Sequence, residues 1–137
     1  MISKMPKCPV AHCFTDKVFA YHDSDFDNWL PKTLPVSEET KVVGYELTKL
    51  TTEADMAKVG GMFINLLQIE DLILRTEKGE KTGLVTDGYA NIFFLQVGVS
   101  VFSVLAFRYS VGWRVDCYPF DARRGWRAGS RFFSSAT

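Results

Sequence analysis

The sequence has no excess of charge, few histidines and few cysteines. Its 137 residues include 16 Lys and Arg against 16 Asp and Glu, and 47% of the residues are apolar. This balance excludes a generally basic nucleic-acid binder, and the apolar fraction excludes a disordered chain. Two histidines leave few groups for acid–base or metal chemistry. The length predicts a single domain, residues 1–137, in which residues 1–16 are expected to be poorly ordered.

The three cysteines, Cys8, Cys13 and Cys117, are not the even, dense set of a disulfide-stabilised secreted domain. No apolar run long enough for an export signal occurs between Met1 and Val18. Both observations predict a cytoplasmic protein. Cys8, His12 and Cys13 offer thiolate and imidazole groups, but structural zinc takes four ligands, so no metal site is predicted there.

One uncharged segment, Ala90–Phe107, is about as long as the shortest membrane-spanning helix. Its composition is that of a sheet, because β-branched and aromatic residues dominate it. Asn91, Gln96 and Ser103 would be costly in lipid. We therefore predict two buried strands that meet at Gly98, and no membrane partner.

The remaining patterns predict an α+β fold. Thr52 and Asp55 have the spacing of a capping box, which predicts a short helix ending at Gly60. A second amphipathic helical pattern is formed by Leu66, Leu67, Ile69, Leu72, Ile73 and Thr76, and it is closed by Gly79 and Gly83. Strands are expected over 41–50 and, as an antiparallel meander, over 90–97, 99–109, 112–118 and 129–133. The predicted architecture is an antiparallel sheet of about four to six strands, mostly from the C-terminal half, packed against two short helices.

The two halves of the chain differ in charge. Residues 1–70 contain seven Lys, no Arg and ten acidic residues, whereas residues 71–137 contain nine Lys and Arg and six acidic residues. The C-terminal excess consists of arginines between aromatic residues: Arg108, Tyr109, Trp113, Arg114, Tyr118, Arg123, Arg124, Trp126, Arg127 and Arg131. Guanidinium groups and rings suit anions, stacked groups or a subunit contact. The alternative is a solvated sheet face on which arginine stems cover aromatic surface.

The acidic segment His22–Asn28 is the other candidate site. Asp23, Asp25 and Asp27 have the spacing of the first half of a calcium loop. The required glycine and the final glutamate are both missing, so an acidic turn is favoured over a metal site. In a catalytic interpretation, His22 would be the base and Asp25 or Asp23 would orient it. No cofactor is predicted.

We predict a non-enzymatic binding module that self-associates, as a dimer, through an aromatic and Arg-rich sheet face. The predicted binding residues are Trp113, Arg114, Trp126, Arg127 and Arg131. The alternative is a small enzyme or small-molecule binder with a pocket near His22. A third hypothesis, polyanion binding, is disfavoured by the neutral composition.

The runs Gly112–Tyr118 and Gly125–Ser134, together with Gly88–Phe94, have a familiar combination of glycines, aromatics and arginines. They resemble the ends of small uncharacterised bacterial proteins, including some encoded on mobile integron cassettes. The resemblance covers only the C-terminal part of the chain. It implies a compact bacterial α+β domain, and it implies no site.

Overall fold

Strands and two helices make up the residues that the computed structural model describes, which are 2–4, 11–13, 21–22, 33–35, 41–59, 63–64, 66–97, 99–110 and 112–136. Their order is β1 (Ile2–Lys4), β2 (Ala11–Cys13), β3 (Tyr21–His22), β4 (Thr33–Pro35), β5 (Lys41–Glu46), β6 (Thr51–Thr52), α1 (Glu53–Val59), α2 (Leu66–Glu77), β7 (Asn91–Val97), β8 (Ser100–Tyr109), β9 (Gly112–Pro119), β10 (Gly125–Trp126) and β11 (Arg131–Ala136). Most of residues 1–16 fall outside this part of the chain.

The main sheet has the strand order β1, β5, β11, β7, β8, β9, β3. Its five long strands are β5, β11, β7, β8 and β9, and four of these come from the C-terminal half. Most neighbours pair antiparallel, whereas β11 with β7 and β3 with β9 pair parallel. Two short pairs, β10 with β6 and β2 with β4, lie outside the main sheet. The predicted α+β class and mostly antiparallel sheet are confirmed.

The uncharged segment Ala90–Phe107 forms β7 and most of β8, as predicted. The two strands pair from Asn91 opposite Ala106 to Val97 opposite Ser100. Phe93 and Phe94 are both buried, because the central strands are covered on both faces. None of the helices in the described part of the chain is long and apolar enough to cross a membrane.

The start of α1 and the end of α2 agree with the sequence prediction, whereas Gly60, the predicted end of α1, lies outside the described residues. The backbone N–H of Asp55 donates to Thr52 Oγ1 at 3.2 Å, which satisfies one N–H of the first turn of α1. Gly79 follows α2 with φ of +90°, a conformation that glycine adopts without strain. Its N–H donates to the carbonyl of Thr76 and so closes the last turn.

The sheet has a separate apolar cluster on each face. The face covered by α2, the α2 face, contains Ile69, Leu72, Ile73, Phe93, Val104, Ala106, Trp113, Val115, Cys117 and Phe133. The other face, the α1 face, contains Met56 of α1 with Ile92, Phe94, Leu105 and Phe132. Neighbouring residues along one strand, such as Phe132 and Phe133, belong to opposite clusters, as the two-residue period of a strand requires. Cys117 is fully buried in the α2 cluster.

The last strand is not where a meander would place it. β11 lies between β5 and β7, not next to β9. The connecting segment, residues 120–130, therefore crosses the α1 face. There Phe120 packs edge-on against Phe94, with centroids 5.3 Å apart, and β10 pairs with β6. Pairing between sequence-distant strands depends on the whole fold and leaves no local pattern in the sequence.

Candidate functional site

A cleft of about 320 Å³ lies where segment 120–130 crosses the α1 face. We call it the aromatic cleft, and it is lined by Leu50, Gly88, Tyr89, Ala90, Phe107, Gly125, Trp126, Arg127 and Ser130. Leu50 is 71% exposed and adds an aliphatic side chain to this lining. The described lining is thus apolar, with the guanidinium of Arg127 as its charged group.

Arg127 and Tyr89 form one wall of the cleft. The guanidinium carbon lies 4.3 Å from the centre of the Tyr89 ring, which is a cation–π contact. Arg127 also begins a turn in which the N–H of Ser130 donates to its carbonyl oxygen. Gly129 occupies that turn with φ of +97°, and a Cβ there would lie 3.3 Å from the Tyr89 ring. Glycine is therefore required for both the turn and the close approach of the ring.

Glu53, the first residue of α1, holds the opposite wall in place. Its side chain is 0% exposed. Ser103 Oγ donates to Oε1 at 2.7 Å, and the N–H of Asp121 donates to the same oxygen at 3.1 Å. Trp126 Nε1 donates to Oε2 at 2.9 Å. Arg124 Nη1 lies 3.2 Å from Oε2 and neutralises the charge.

These contacts offset the cost of burying a carboxylate. An ion moved into the interior loses several kcal/mol of hydration, on the order of what a set of charge-assisted hydrogen bonds recovers. The donors come from β8, from segment 120–130 and from β10. Glu53 therefore ties that segment to the sheet and orients the Trp126 ring toward the cleft.

Two opposite charges lie at the cleft and its rim. Arg127 makes no side-chain hydrogen bond or ion pair with any residue in the described part of the chain. Asp87, next to the lining residue Gly88, accepts a hydrogen bond from the N–H of Tyr89 at 3.1 Å and has no ion-pair partner in the same part. Among the described residues, then, neither charge is compensated by an ion pair.

Most other C-terminal arginines are paired with acids. Arg108 lies 3.4 Å from Glu77, and Arg114 lies 3.0 Å from Asp116. Arg131 Nη1 donates to the carbonyl of Gly83 at 2.6 Å. Arg131 and Glu46, 3.7 Å apart, line a second cleft of about 280 Å³ near Gly44. The charges in that cleft already face each other, unlike Arg127.

The structure separates the five predicted binding residues. Trp126 and Arg127 line the aromatic cleft. Arg114, on β9, is the register partner of the lining residue Phe107 on the neighbouring strand β8. Arg131 lies on the α2 face, because its register partner Asn91 is paired in turn with Ala106 of the α2 cluster. Trp113 is 2% exposed and belongs to the α2 cluster, so burial removes it from any binding surface.

The other sequence candidates are only partly visible. Asp23, Asp25, Asp27 and Cys8 lie outside the described residues. The backbone of His22, in β3, pairs with Val115 at the edge of the sheet, and its side chain is not among those described. Within the described residues, no three His, Cys, Asp or Glu side chains are grouped as metal ligands would be. The pocket near His22 stays a prediction.

The perturbed titrations lie on α2 and not at the cleft. Burial raises the pKa of Asp71 above its usual value, although the neighbouring Arg75 acts in the opposite direction. A hydrogen bond to Glu80 raises the pKa of Arg75 in turn. Asp71 and Arg75 lie one helical turn apart, 3.4 Å between Oδ2 and Nη1. This pair lies in the C-terminal half of α2, and neither residue is in the described lining of the cleft.

Sequence reasoning missed Glu53, Leu50 and Tyr89. Glu53 looked like an ordinary acidic residue of a first helical turn, where the helix dipole favours it. Tyr89 follows the turn signal at Asp87 and Gly88, which is the one local hint that its ring is held in place. Leu50 has no local signal at all. Comparison with protein-family models, with curated proteins and with solved structures gives no match for this chain.

Proposed function

We propose that this protein is a non-enzymatic binding module whose ligand occupies the aromatic cleft. The observation that carries the proposal is Arg127, a guanidinium without an acidic partner in the described residues, on the Tyr89 ring of an apolar cleft. Tryptophan, tyrosine and arginine are the residues that contribute most energy to binding surfaces. Ligand clefts span roughly 300 to 1,000 Å³, so this one suits a small ligand.

The chemistry of the cleft supports binding over catalysis. Its described lining contains no His, Cys, Asp, Glu or Lys, the usual acids, bases and nucleophiles. Its two hydroxyl-bearing residues are Tyr89 and the buried Ser130, and neither is hydrogen-bonded to a basic side chain in the described part. The rigid support from Glu53 gives a preformed site, which lowers the entropy lost on binding.

A fragment screen followed by NMR of the full ¹⁵N-labelled chain tests this function. We expect saturable shifts of the Trp126 indole N–H and the Tyr89 amide, and weaker binding in Leu50→Ser. Val99→Ser is the matched control, because Val99 is 98% exposed and does not line the cleft. If no fragment perturbs the cleft, or if both variants weaken binding equally, the proposal is wrong.

Self-association is a second candidate, supported by the charges at the cleft and its rim. A two-fold interface pairs a surface with itself, so Arg127 of one copy could face Asp87 of the other around Leu50. Light scattering at increasing concentration measures this directly. We expect Arg127→Glu and Asp87→Lys each to dissociate such a dimer, and an equal mixture of the two variants to recover part of it.

Polyanion binding has less support, because Arg108, Arg114, Arg124 and Arg131 are neutralised by acids of the same chain. Absence of retention on heparin at low salt would eliminate it. We also propose a bacterial origin, which the resemblance suggests, and a cytoplasmic location, which the cysteines and the N-terminal sequence predict. Cell fractionation tests the location.

A further inference from the structure

We infer that the ligand of the aromatic cleft is a small molecule with a flat apolar group and a single carboxylate. This inference rests on the proposed function and specifies its ligand class. Three features of the cleft carry it: the rings and Leu50 in its walls, the Arg127 guanidinium, and the way in which the polar atom of Trp126 is already used.

The walls select a flat apolar group. Tyr89, Phe107 and Trp126 offer ring surfaces, and Leu50 adds an exposed aliphatic side chain. Phe107 is further held by Tyr109, whose ring stacks on it with centroids 6.0 Å apart and planes within 6°. Aromatic groups bind such walls by offset stacking or edge contacts. The volume of about 320 Å³ limits the ligand to a small ring system.

Two polar groups of the walls, on Trp126 and Ser130, already have hydrogen-bond partners within the protein. Trp126 Nε1 donates to Glu53 at 2.9 Å, so the indole presents carbon atoms to the cleft. Ser130 is 1% exposed, and its N–H is already bonded to the carbonyl of Arg127. The Tyr89 hydroxyl and the Arg127 guanidinium are the polar side-chain groups that the described lining leaves for a ligand. A sugar or another polyol would therefore lose the hydration of several hydroxyl groups and find few partners.

Arg127 selects the carboxylate. Its contact with Tyr89 involves the ring face and uses no N–H donor, so the guanidinium can donate two parallel bonds to a carboxylate. The described lining holds no second cation, and Asp87 at the rim repels further negative charge. A single carboxylate therefore fits better than a phosphate, which carries nearly two charges.

The test compares two probes that differ only in charge: indole-3-acetate and its neutral amide, indole-3-acetamide. Dissociation constants come from ¹⁵N NMR titrations of the full chain, at probe concentrations up to the millimolar range. We expect the carboxylate to bind about tenfold more tightly than the amide, because a hydrogen bond to a charged group is worth about that factor. The shifts should centre on Trp126, Tyr89 and Arg127.

Two variants localise the effect. Arg127→Gln should remove the preference, so that the two probes bind equally. Arg123→Gln, at an exposed arginine of segment 120–130 that does not line the cleft, should leave the preference unchanged. Equal binding of the probes to the wild type, a preference that survives Arg127→Gln, or no saturable binding of either probe would each overturn the inference.

The same titrations separate this inference from the proposed function. If neutral fragments bind the cleft and indole-3-acetate gains nothing from its charge, the binding function stands and the ligand class is wrong. If no compound of either kind perturbs the cleft, both fail. If indole-3-acetate instead shifts the signals of residues around Arg123 and Arg124, the cleft is not the anion site and the inference fails. The proposed binding function is then tested by the neutral fragments alone.

Discussion

The two faces of the sheet are covered in different ways. A twelve-residue amphipathic helix, α2, covers one face with Ile69, Leu72 and Ile73, each at most 1% exposed. The other face has a seven-residue helix and an irregular segment, residues 120–130. A helix satisfies its own backbone groups, whereas an irregular segment must find partners for its polar atoms. Glu53 supplies several of those partners.

This difference explains where a ligand site can form. Apolar packing by α2 leaves Trp113 buried and inaccessible. Segment 120–130 is held at a few polar points, and between them it leaves the aromatic cleft. Binding residues commonly lie on such segments when a rigid scaffold supports them. Trp113 and Trp126 also report on the two faces separately, one from each cluster.

Glu53→Gln should have the largest effect and should act on one face. The new side-chain amide would place its NH₂ group against donors that now bond to a carboxylate oxygen of Glu53. Arg124 would also lose its counter-charge. We expect a loss of about 3 kcal/mol in the free energy of unfolding by urea. Trp29 is the third tryptophan of the chain, and its replacement by Phe leaves two indole N–H signals. The signal of Trp126 should then move while that of Trp113 stays in place.

The matched control for that variant is Glu46→Gln. Glu46 is also paired with an arginine, but its side chain is 60% exposed and 3.7 Å from Arg131. Its replacement should cost less than about 0.5 kcal/mol. Movement of both tryptophan signals in Glu53→Gln would show that the two faces do not respond independently, and would contradict the comparison.

Gly129→Ala should have an intermediate effect that distinguishes the cleft from the rest of the molecule. Its positive φ strains any other residue, by about 1 to 2 kcal/mol, and the new Cβ would press on Tyr89. Gly79→Ala is the control, because Gly79 has a similar φ and nothing within 4 Å of its Cβ position. Both variants should lose thermal stability, Gly129→Ala somewhat more, but only Gly129→Ala should weaken fragment binding. Equal binding by both would count against a role for the Tyr89 wall.

Asp71 gives the smallest effect, on the α2 side. Since its pKa is raised in the folded state, the contribution of this group to stability is present at low pH and is lost as pH rises through that pKa. Asp71→Asn keeps the side chain neutral, so the variant should gain stability relative to the wild type between pH 3 and about pH 6. We expect a few tenths of a kcal/mol, because part of the side chain is exposed and the Arg75 contact is lost. Urea unfolding at several pH values measures the difference, and a gap that is constant with pH would contradict the prediction.

Much of the local structure was predictable from the sequence. The composition of Ala90–Phe107 predicts strands, and β7 and β8 confirm it. Thr52 begins α1, and Gly79 ends α2. These features depend on backbone preferences and on neighbours close along the chain, which a sequence displays directly. The candidate site was only half predictable, since Trp126 and Arg127 line the cleft while Trp113 lies in the other cluster.

The sequence by itself therefore determined the α+β class, the start of α1, the end of α2 and the long strands of the C-terminal half. Tertiary structure alone decided that β11 enters between β5 and β7. That insertion carries segment 120–130 across the α1 face, where Glu53 meets donors about 50 to 73 positions away along the chain. The physical reason is that successive side chains of a strand point to opposite faces of the sheet. This alternation defines the two faces but does not specify which segment covers each of them. The strand order, which depends on pairing between distant parts of the chain, determines which segment covers each face and therefore where the cleft lies.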